Sequence, residues 1–574
     1  MTEFLHERNG FFMKHKINRE DIVIYALILL GVILFWIPFF GKGLPDGYEL
    51  GFHYTRVATL ADSLKLGIFP AKLRPMHMKM YGYGVGFFYP DFFIYPAAFL
   101  IVLGMDIELA IKLTFFAIIV IGAFVTYNCF FAATGNKYIA LIGELLFMGS
   151  RINYDNFVVG SGLPHLCAYL FIPLAILGLL EALKGEKKGY FKYALGITAV
   201  LLSHHLIFMT MMFVLLIIVV IHLGVIVKNP KRLGILFLVS IVAMAFTTGY
   251  WLPAFEQANH IKFIALYDNS YDLSEHIMSF PDLFMVHIGP FLFVLFIIAA
   301  ATYVIYGIKS KKADLATCSI LAVTTLIVII TCSRSLWLGP VGQALSFFQY
   351  TQRFVFVLTD LMIISIVLVL GQVSDKLAGG LTMGNNRSSR IVMVVVAALC
   401  MIITRCDNKL DFYDPDAYSK LVLTPEIYAE EYQVSGAEWL PVECEPSECK
   451  EPNYSRSTEG TGADGVKHDS GKYYEVWVDA TREYYDVPYV YYYGYRAYFV
   501  DDNMNPTREL QVGEALDDNG YVRVYMPEDA EGIEHVMVTY RKTNVQKISY
   551  LVSLVTFIGV CIWQFARRKK DELS

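Results

Sequence analysis

The chain has 574 residues, of which 56% are hydrophobic and 17% charged, with a formal net charge of −6. A soluble domain carries about 25% charged residues, so a wholly water-soluble architecture is excluded. The small net acidity argues against a nucleic-acid partner.

The first apolar run begins at Asp21 and ends near Phe40. It is too long and too late for a cleaved signal peptide, and reads as a retained helix. Downstream, basic clusters punctuate the apolar runs: Lys184 to Lys192, Lys228 to Arg232, Lys309 to Lys312, Lys376 to Arg390 and Arg567 to Lys570. Between them the sequence predicts twelve transmembrane spans, near 21–40, 109–132, 138–150, 165–183, 190–204, 206–227, 231–252, 284–308, 313–332, 352–371, 388–405 and 545–566. Basic flanks mark the cytoplasmic side. A multi-pass protein of the cell membrane with both termini cytoplasmic is therefore expected.

The apolar stretch from Phe87 to Gly104 does not fit as a further span, because counting it would move Lys184 to Lys192 outside. Pro90 and Pro96 also interrupt its backbone hydrogen bonding. It reads as a helix at or partly within the outer interface, which leaves a first external loop of residues 41–108. Loops this long are usually functional.

From residue 405 to 543 charge, Gly and Pro return, with alternating runs at Tyr473 to Val478 and Tyr521 to Tyr525. This predicts an extracellular β-rich domain. The expected organisation is a membrane domain at 1–404, the β-rich domain at 405–543, and a last helix with a basic tail at 544–574. Tyr484, Tyr485, Tyr489, Tyr491, Tyr492, Tyr493 and Tyr495 either stack on sugar rings or fill a sheet core. Cys444 and Cys449 suit a local disulfide if the domain lies outside the cytoplasm.

Chemistry-bearing residues concentrate in the first external loop. Asp46, Glu49, His53 and Arg56 are spaced three, four and three apart. A helix beginning at Pro45 and stopping at Gly67 would hold them on an arc of about 80°, with Leu60 and Leu64 continuing the stripe. An ionic half followed by an apolar half suits a phosphate headgroup joined to a lipid tail; an interfacial helix with a solvated acidic end is the plainer reading. Arg74, Asp91, Arg151 and His165 are further external candidates. Arg151 also sits where a membrane-edge arginine snorkels. The pair His204-His205 suits a polar turn better than a metal site. No GxxxxGK[ST] or strand-linked GxGxxG loop is present, so an external lipid-linked donor fits better than a nucleotide.

The run Glu49-Leu50-Gly51-Phe52-His53-Tyr54-Thr55-Arg56 resembles the acid-Leu-x-Phe-His-x-x-Arg signature of YfhO-like membrane proteins. It equally resembles the bacterial 6-pyruvoyl-tetrahydropterin-synthase-related membrane domain; both belong to the GT-C glycosyltransferase class. Gly67 to Pro70, Gly82-Tyr83-Gly84, Phe88-Tyr89-Pro90, Tyr250 to Pro253, Gln352-Arg353-Phe354 and Val487 to Ala497 continue the resemblance. It implies a GT-C-like polytopic fold and transfer of a sugar from a polyprenyl-phosphate donor to a cell-wall polymer, glycolipid or glycan acceptor. Glu49 aligns with the catalytic acid, where the family more often has Asp, and Asp46 is a second candidate. His53, Arg56, Arg74, Asp91, Arg151, His165 and Arg353 would bind substrate, with Arg56, Arg74 and Arg353 toward the donor phosphate. At His165 the family often has Glu. No cofactor is specified, and a divalent cation is left open. A flippase for a lipid-linked glycan and a non-catalytic envelope-binding protein are the competing readings.

Overall fold

The computed structural model describes residues 18–267, 276–310, 313–348, 350–377, 387–406, 419–422, 437–444, 468–469, 471–516 and 519–573. The chain divides into two compact units that interleave along the sequence. Met1–Gly47, Phe115–Ala243 and Asp272–Leu421 form the first, and Tyr48–Thr114, Met244–Tyr271 and Val422–Ser574 the second. Most of the first loop thus falls in the same unit as the C-terminal region.

Helix α1 (Arg19–Trp36) opens the first unit with a reciprocal cap. The Asn18 side chain accepts from the Glu20 and Asp21 amides at 2.9 and 3.0 Å, and Asp21 accepts from the Asn18 amide at 3.1 Å, satisfying donors that a helix start leaves open. Strand β1 (Leu44–Pro45) pairs antiparallel with β2 (Lys420–Leu421). Among the described residues, seven helices are long and apolar enough to cross a membrane: Arg19–Phe39, Ile107–Thr134, Leu163–Lys184, Pro290–Ser310, Leu315–Cys332, Thr351–Val373 and Asn544–Ala566. An eighth candidate, Pro230–Phe246 with Thr248–His260, is bent by 69°. The chain is thus a multi-pass α-helical membrane protein with a β-rich C-terminal region.

Three of the other four expected spans are helical but do not reach crossing length. Lys137–Gly149 has 13 residues, Lys187–Leu201 has 15 and His205–Ile221 has 17; the fourth, Arg387–Cys406, has 20 residues with its arginines at the two ends. At 1.5 Å per residue, 13 residues cover only about 20 Å of the roughly 30 Å hydrocarbon core. Small residues bring such helices into backbone contact. A Cβ on Gly178 would lie 2.4 Å from the Tyr193 amide nitrogen, and one on Gly196 2.5 Å from that of Ala175.

In the second unit, α2 (Leu50–Lys65) is buried around most of its circumference, so it is no solvated interfacial helix. The stretch 87–104 resolves into the end of α3 (Val85–Phe88) and an eight-residue α4 (Tyr95–Val102), too short to span. Seven strands follow: β3 (His468–Asp469), β4 (Tyr473–Asp479), β5 (Tyr484–Val490), β6 (Tyr495–Val500), β7 (Pro506–Glu514), β8 (Tyr521–Tyr525) and β9 (Ile533–Tyr540). They form one sheet in the order β3-β4-β9-β6-β7-β8-β5, with antiparallel pairing throughout. Both strands expected from alternation are present as β4 and β8, and Tyr474, Val476 and Val478 alternate into the core.

That core is shared. Tyr81, Tyr83, Val85, Phe87 and Phe88 of the first loop pack in the same cluster as Val476, Tyr492 and Val524. The Val490 amide donates to the Tyr81 carbonyl at 2.8 Å, and Gln257 clamps Tyr493 through both its amide and its carbonyl, at 2.9 and 2.8 Å. The tyrosine run is mostly core: Tyr485, Tyr489, Tyr492 and Tyr495 are buried. Tyr484 stacks under the Arg523 guanidinium at 3.9 Å and Tyr493 on His260 at 3.7 Å. Removing the β-rich region would therefore strip the first loop of its packing. Cys444 is buried; Cys449, its expected partner, lies outside the described residues.

Candidate functional site

Three local features place the ionic residues. Positions 53 and 56 are three apart on α2, hence on one face. Pro90 disfavours helical backbone at the residue before it, and α3 accordingly ends with Tyr89 extended at φ −93°, ψ 122°. The chain then turns Asp91 inward. Gly86 lets this happen, because a Cβ there would lie 2.8 Å from Asp91 Oδ2 and 2.7 Å from the Lys72 carbonyl.

The result is a relay of five side chains within the second unit. Glu49 Oε2 lies 3.0 Å from His53 Nε2. His53 Nδ1 lies 3.1 Å from Arg56 Nη1. Arg56 Nη2 donates to Asp91 Oδ1 and to the Pro90 carbonyl, each at 3.0 Å. Arg74 Nη2 donates to Asp91 Oδ2. Exposure falls sharply along it: the Glu49 side chain is 38% exposed, His53 2%, Arg56 1%, Asp91 4% and Arg74 0%.

The chemistry of the donors fixes the protons. A guanidinium only donates, so His53 Nδ1 accepts from Arg56 and Nε2–H points at the Glu49 carboxylate. Burial holds the His53 imidazole below its ordinary range, against the opposing pull of Glu49, which keeps this neutral tautomer. The Arg56 guanidinium lies 4.9 Å from the Tyr89 ring centre and 5.7 Å from that of Phe52. The Tyr89 hydroxyl donates to Glu438 Oε2 at 3.1 Å, and burial pushes that phenol well above its usual range. A carboxylate at the exposed end is thus oriented by groups that cannot themselves move without uncovering buried charge.

Two expected roles change. Arg56 and Arg74 both donate to Asp91 and are closed to solvent, so they hold the relay together, with Arg74 Nη1 and Nε left without a hydrogen-bond partner among the described residues. Asp46 precedes α2, whose first residue is Leu50 with Glu49 at the cap; it is exposed, and its amide donates to the Ser419 carbonyl at 2.8 Å. It does not continue the helical stripe, since Pro45 is in β1. Asp46, Arg151, His165 and Arg353 belong to the first unit. There Arg151 pairs with Asp155 at 3.2 Å, and Arg353 donates to the Phe348 carbonyl at 2.5 Å. The His165 ring lies 4.3 Å from that of His204, tilted by 37°. His204 caps its helix by accepting from the Ile207 amide at 3.3 Å, the polar-turn role. Among the described residues, no three His, Cys, Asp or Glu side chains form a metal-binding group.

The sequence profile of a family of unknown function, DUF6541, matches residues 16–433. The chain belongs to this family. The YfhO-like and pterin-synthase-related relationships suggested by the motifs are not what this match shows. No curated protein matches the sequence. In structure, the chain is similar to the oligosaccharyltransferase AglB of Archaeoglobus fulgidus, solved in complex with an inhibitory peptide and a dolichol-phosphate. The TM-score is 0.42 at 12% identity, covering 71% of this chain and 57% of that one. A second Archaeoglobus fulgidus oligosaccharyltransferase structure, tethered to an acceptor peptide, gives 0.39 at 12%, over 85% of this chain and 74% of that one. The arabinosyltransferase EmbB of Mycobacterium smegmatis gives 0.33 at 10%, over 94% and 67%. The chain therefore spans little more than half the length of the first of these, and likenesses this distant decide nothing about its chemistry.

For this DUF6541 member, reading the sequence missed Lys72, Tyr89 and Glu438 as neighbours of the relay. Lys72 had a signal in standing two residues before Arg74, and Asp91 and Arg74 are its charged neighbours. Glu438 had none, standing 349 residues from Tyr89.

Proposed function

We propose that the protein is a GT-C-type membrane glycosyltransferase, moving a sugar from a polyprenyl-phosphate donor to an extracytoplasmic envelope acceptor. The observation that carries this reading is a partly exposed carboxylate, Glu49, held by a buried His-Arg-Asp-Arg relay. Glu49 takes the proton of an acceptor hydroxyl as that oxygen attacks the anomeric carbon. The bond from that carbon to the donor phosphate breaks, and polyprenyl phosphate leaves. Neutral His53 keeps the carboxylate aimed through Nε2–H, and Arg56 keeps His53 in that tautomer. The YfhO-like motif around Glu49 agrees with this assignment, and residues 41–108 and 405–543 then face outside, with both termini cytoplasmic. The test is transfer by the purified protein from labelled polyprenyl-phosphate sugars. A positioned general base contributes about 10² to 10⁴ in rate, so Glu49→Gln should lose most turnover while melting like wild type. Unchanged turnover overturns the assignment.

Transport of a lipid-linked glycan is a second reading, favoured by two acids in the first unit. Glu144 and Asp360 are 0 and 1% exposed, and among the described residues their carboxyl oxygens have no hydrogen-bond partner. Acids so placed within membrane helices mark transport paths. If this reading holds, Glu144→Gln and Asp360→Asn stop translocation in vesicles while Glu49→Gln does not.

A further inference from the structure

The second unit contains a cavity of about 310 Å³, at the lower end of the roughly 300–1,000 Å³ of small-molecule sites. None of the five relay residues lines it. Its walls bring Lys72, Lys472 and Lys542 together from three separate segments, beside Tyr489, Tyr540 and Gln546, with no carboxylate among the described lining residues. Ammonium groups buried in this way lose hydration. Burial, reinforced by Arg74 and opposed by Asp91, brings the Lys72 ammonium down to about 8, and burial also lowers Lys542. An anion in the cavity relieves that cost.

The amide at Gln546 adds a second requirement. Gln546 is fully buried. Its Nε2 donates to Tyr540 Oη at 2.8 Å and to Glu256 Oε2 at 3.3 Å. Its Oε1 has no hydrogen-bond partner among the described residues. A buried carbonyl costs free energy until a donor meets it, and no oxygen of a fully ionised phosphate can donate. A hydroxyl can.

We propose that this cavity binds a phosphate ester whose organic part carries hydroxyl groups, with the phosphate on the three lysines and a hydroxyl donating to Gln546 Oε1. Lys542 stands two residues before the last helix (Asn544–Leu573). Ile548 and Leu551 on that helix are 57 and 59% exposed, and Phe69, whose carbonyl accepts from Lys542, is 59% exposed. An apolar surface thus adjoins the cationic one, so the ester is either the headgroup of a membrane lipid or a soluble sugar phosphate.

The test is acetylation of lysines in the full chain, in lipid nanodiscs at pH 8, by a water-soluble N-hydroxysuccinimide ester, followed by mass spectrometry of the peptides. Lys72 should be slowed fivefold or more by a polyprenyl-phosphate-linked sugar, with Lys184 and Lys187 unchanged. Equal protection by glucose 1-phosphate supports a site that reads the head alone. Protection by the lipid-linked sugar only supports delivery from the bilayer. Protection by neither overturns the proposal. Methyl phosphate, a dianion with no hydroxyl at this pH, protecting as well as glucose 1-phosphate overturns the hydroxyl contact at Gln546. Lys472→Met should raise the glucose 1-phosphate concentration needed for half-protection about tenfold, the scale of one charge-assisted hydrogen bond, and Gln546→Met should remove the advantage of the sugar phosphate over methyl phosphate. Glu49→Gln should leave protection unchanged, which separates this site from the proposed catalysis.

Discussion

Replacing Asp91 with Asn probes the relay at its centre. The carboxylate serves Arg56 through one oxygen and Arg74 through the other, and all three side chains are no more than 4% exposed. The carboxamide of Asp91→Asn would keep one acceptor, turn an N–H toward a guanidinium, and leave two buried cations with no counter-charge from that position. Removing one partner from a buried ion pair costs about 3–5 kcal/mol, and solvent screening is negligible at this exposure. For a unit of this size that corresponds to roughly 10 °C in melting temperature. The measurement is thermal unfolding in detergent followed by intrinsic fluorescence, because Trp439 stacks on Phe88 in the same core at 4.0 Å. Removing all three charges together, as Arg56→Met, Asp91→Leu and Arg74→Met, should cost much less than Asp91→Asn alone, since well-packed apolar replacements of a buried triad are often neutral. A melting temperature for Asp91→Asn within 2 or 3 °C of wild type, on the scale of about 1 kcal/mol, would refute the claim that this carboxylate compensates both arginines.

Acid should weaken the fold through His53. Burial holds the folded imidazole below its ordinary 6.5, so the unfolded chain takes up the proton first as pH falls. The stabilisation is complete above about pH 6.5 and is lost on going below it. His53→Gln should therefore lose less melting temperature than wild type between pH 7 and 5, and an equal loss would count against a neutral buried His53. Gly84→Ala should destabilise by about 1–3 kcal/mol, because its Cβ would lie 2.3 Å from the buried Tyr492 ring; wild-type melting would show that the ring yields freely. Single cysteines at 62 and 106 should react with an impermeant external reagent while those at 135 and 186 are protected. Protection at 106 would make 87–104 a crossing.

The sequence by itself determined what depends on local pattern. Apolar length gave the long helices, alternation gave β4 and β8, and spacing on α2 put His53 and Arg56 on one face. Pro90 predicted the break that turns Asp91 inward. Where neighbours in space decide, the same residues misled. Pro45 suits a helix start, yet it is in a strand whose partner, Lys420, is 375 positions away. The tyrosines of β5 and β6 suit sugar faces equally well, and only the packing of first-loop residues against the sheet made most of them core. Arg56 and Arg74 read as phosphate ligands because a guanidinium's affinity is visible in sequence while its occupancy is not. That Asp91 already engages both, and that Lys72, Lys472 and Lys542 line one cavity, follows from chain segments hundreds of residues apart sharing one hydrophobic core. No local spacing encodes that arrangement.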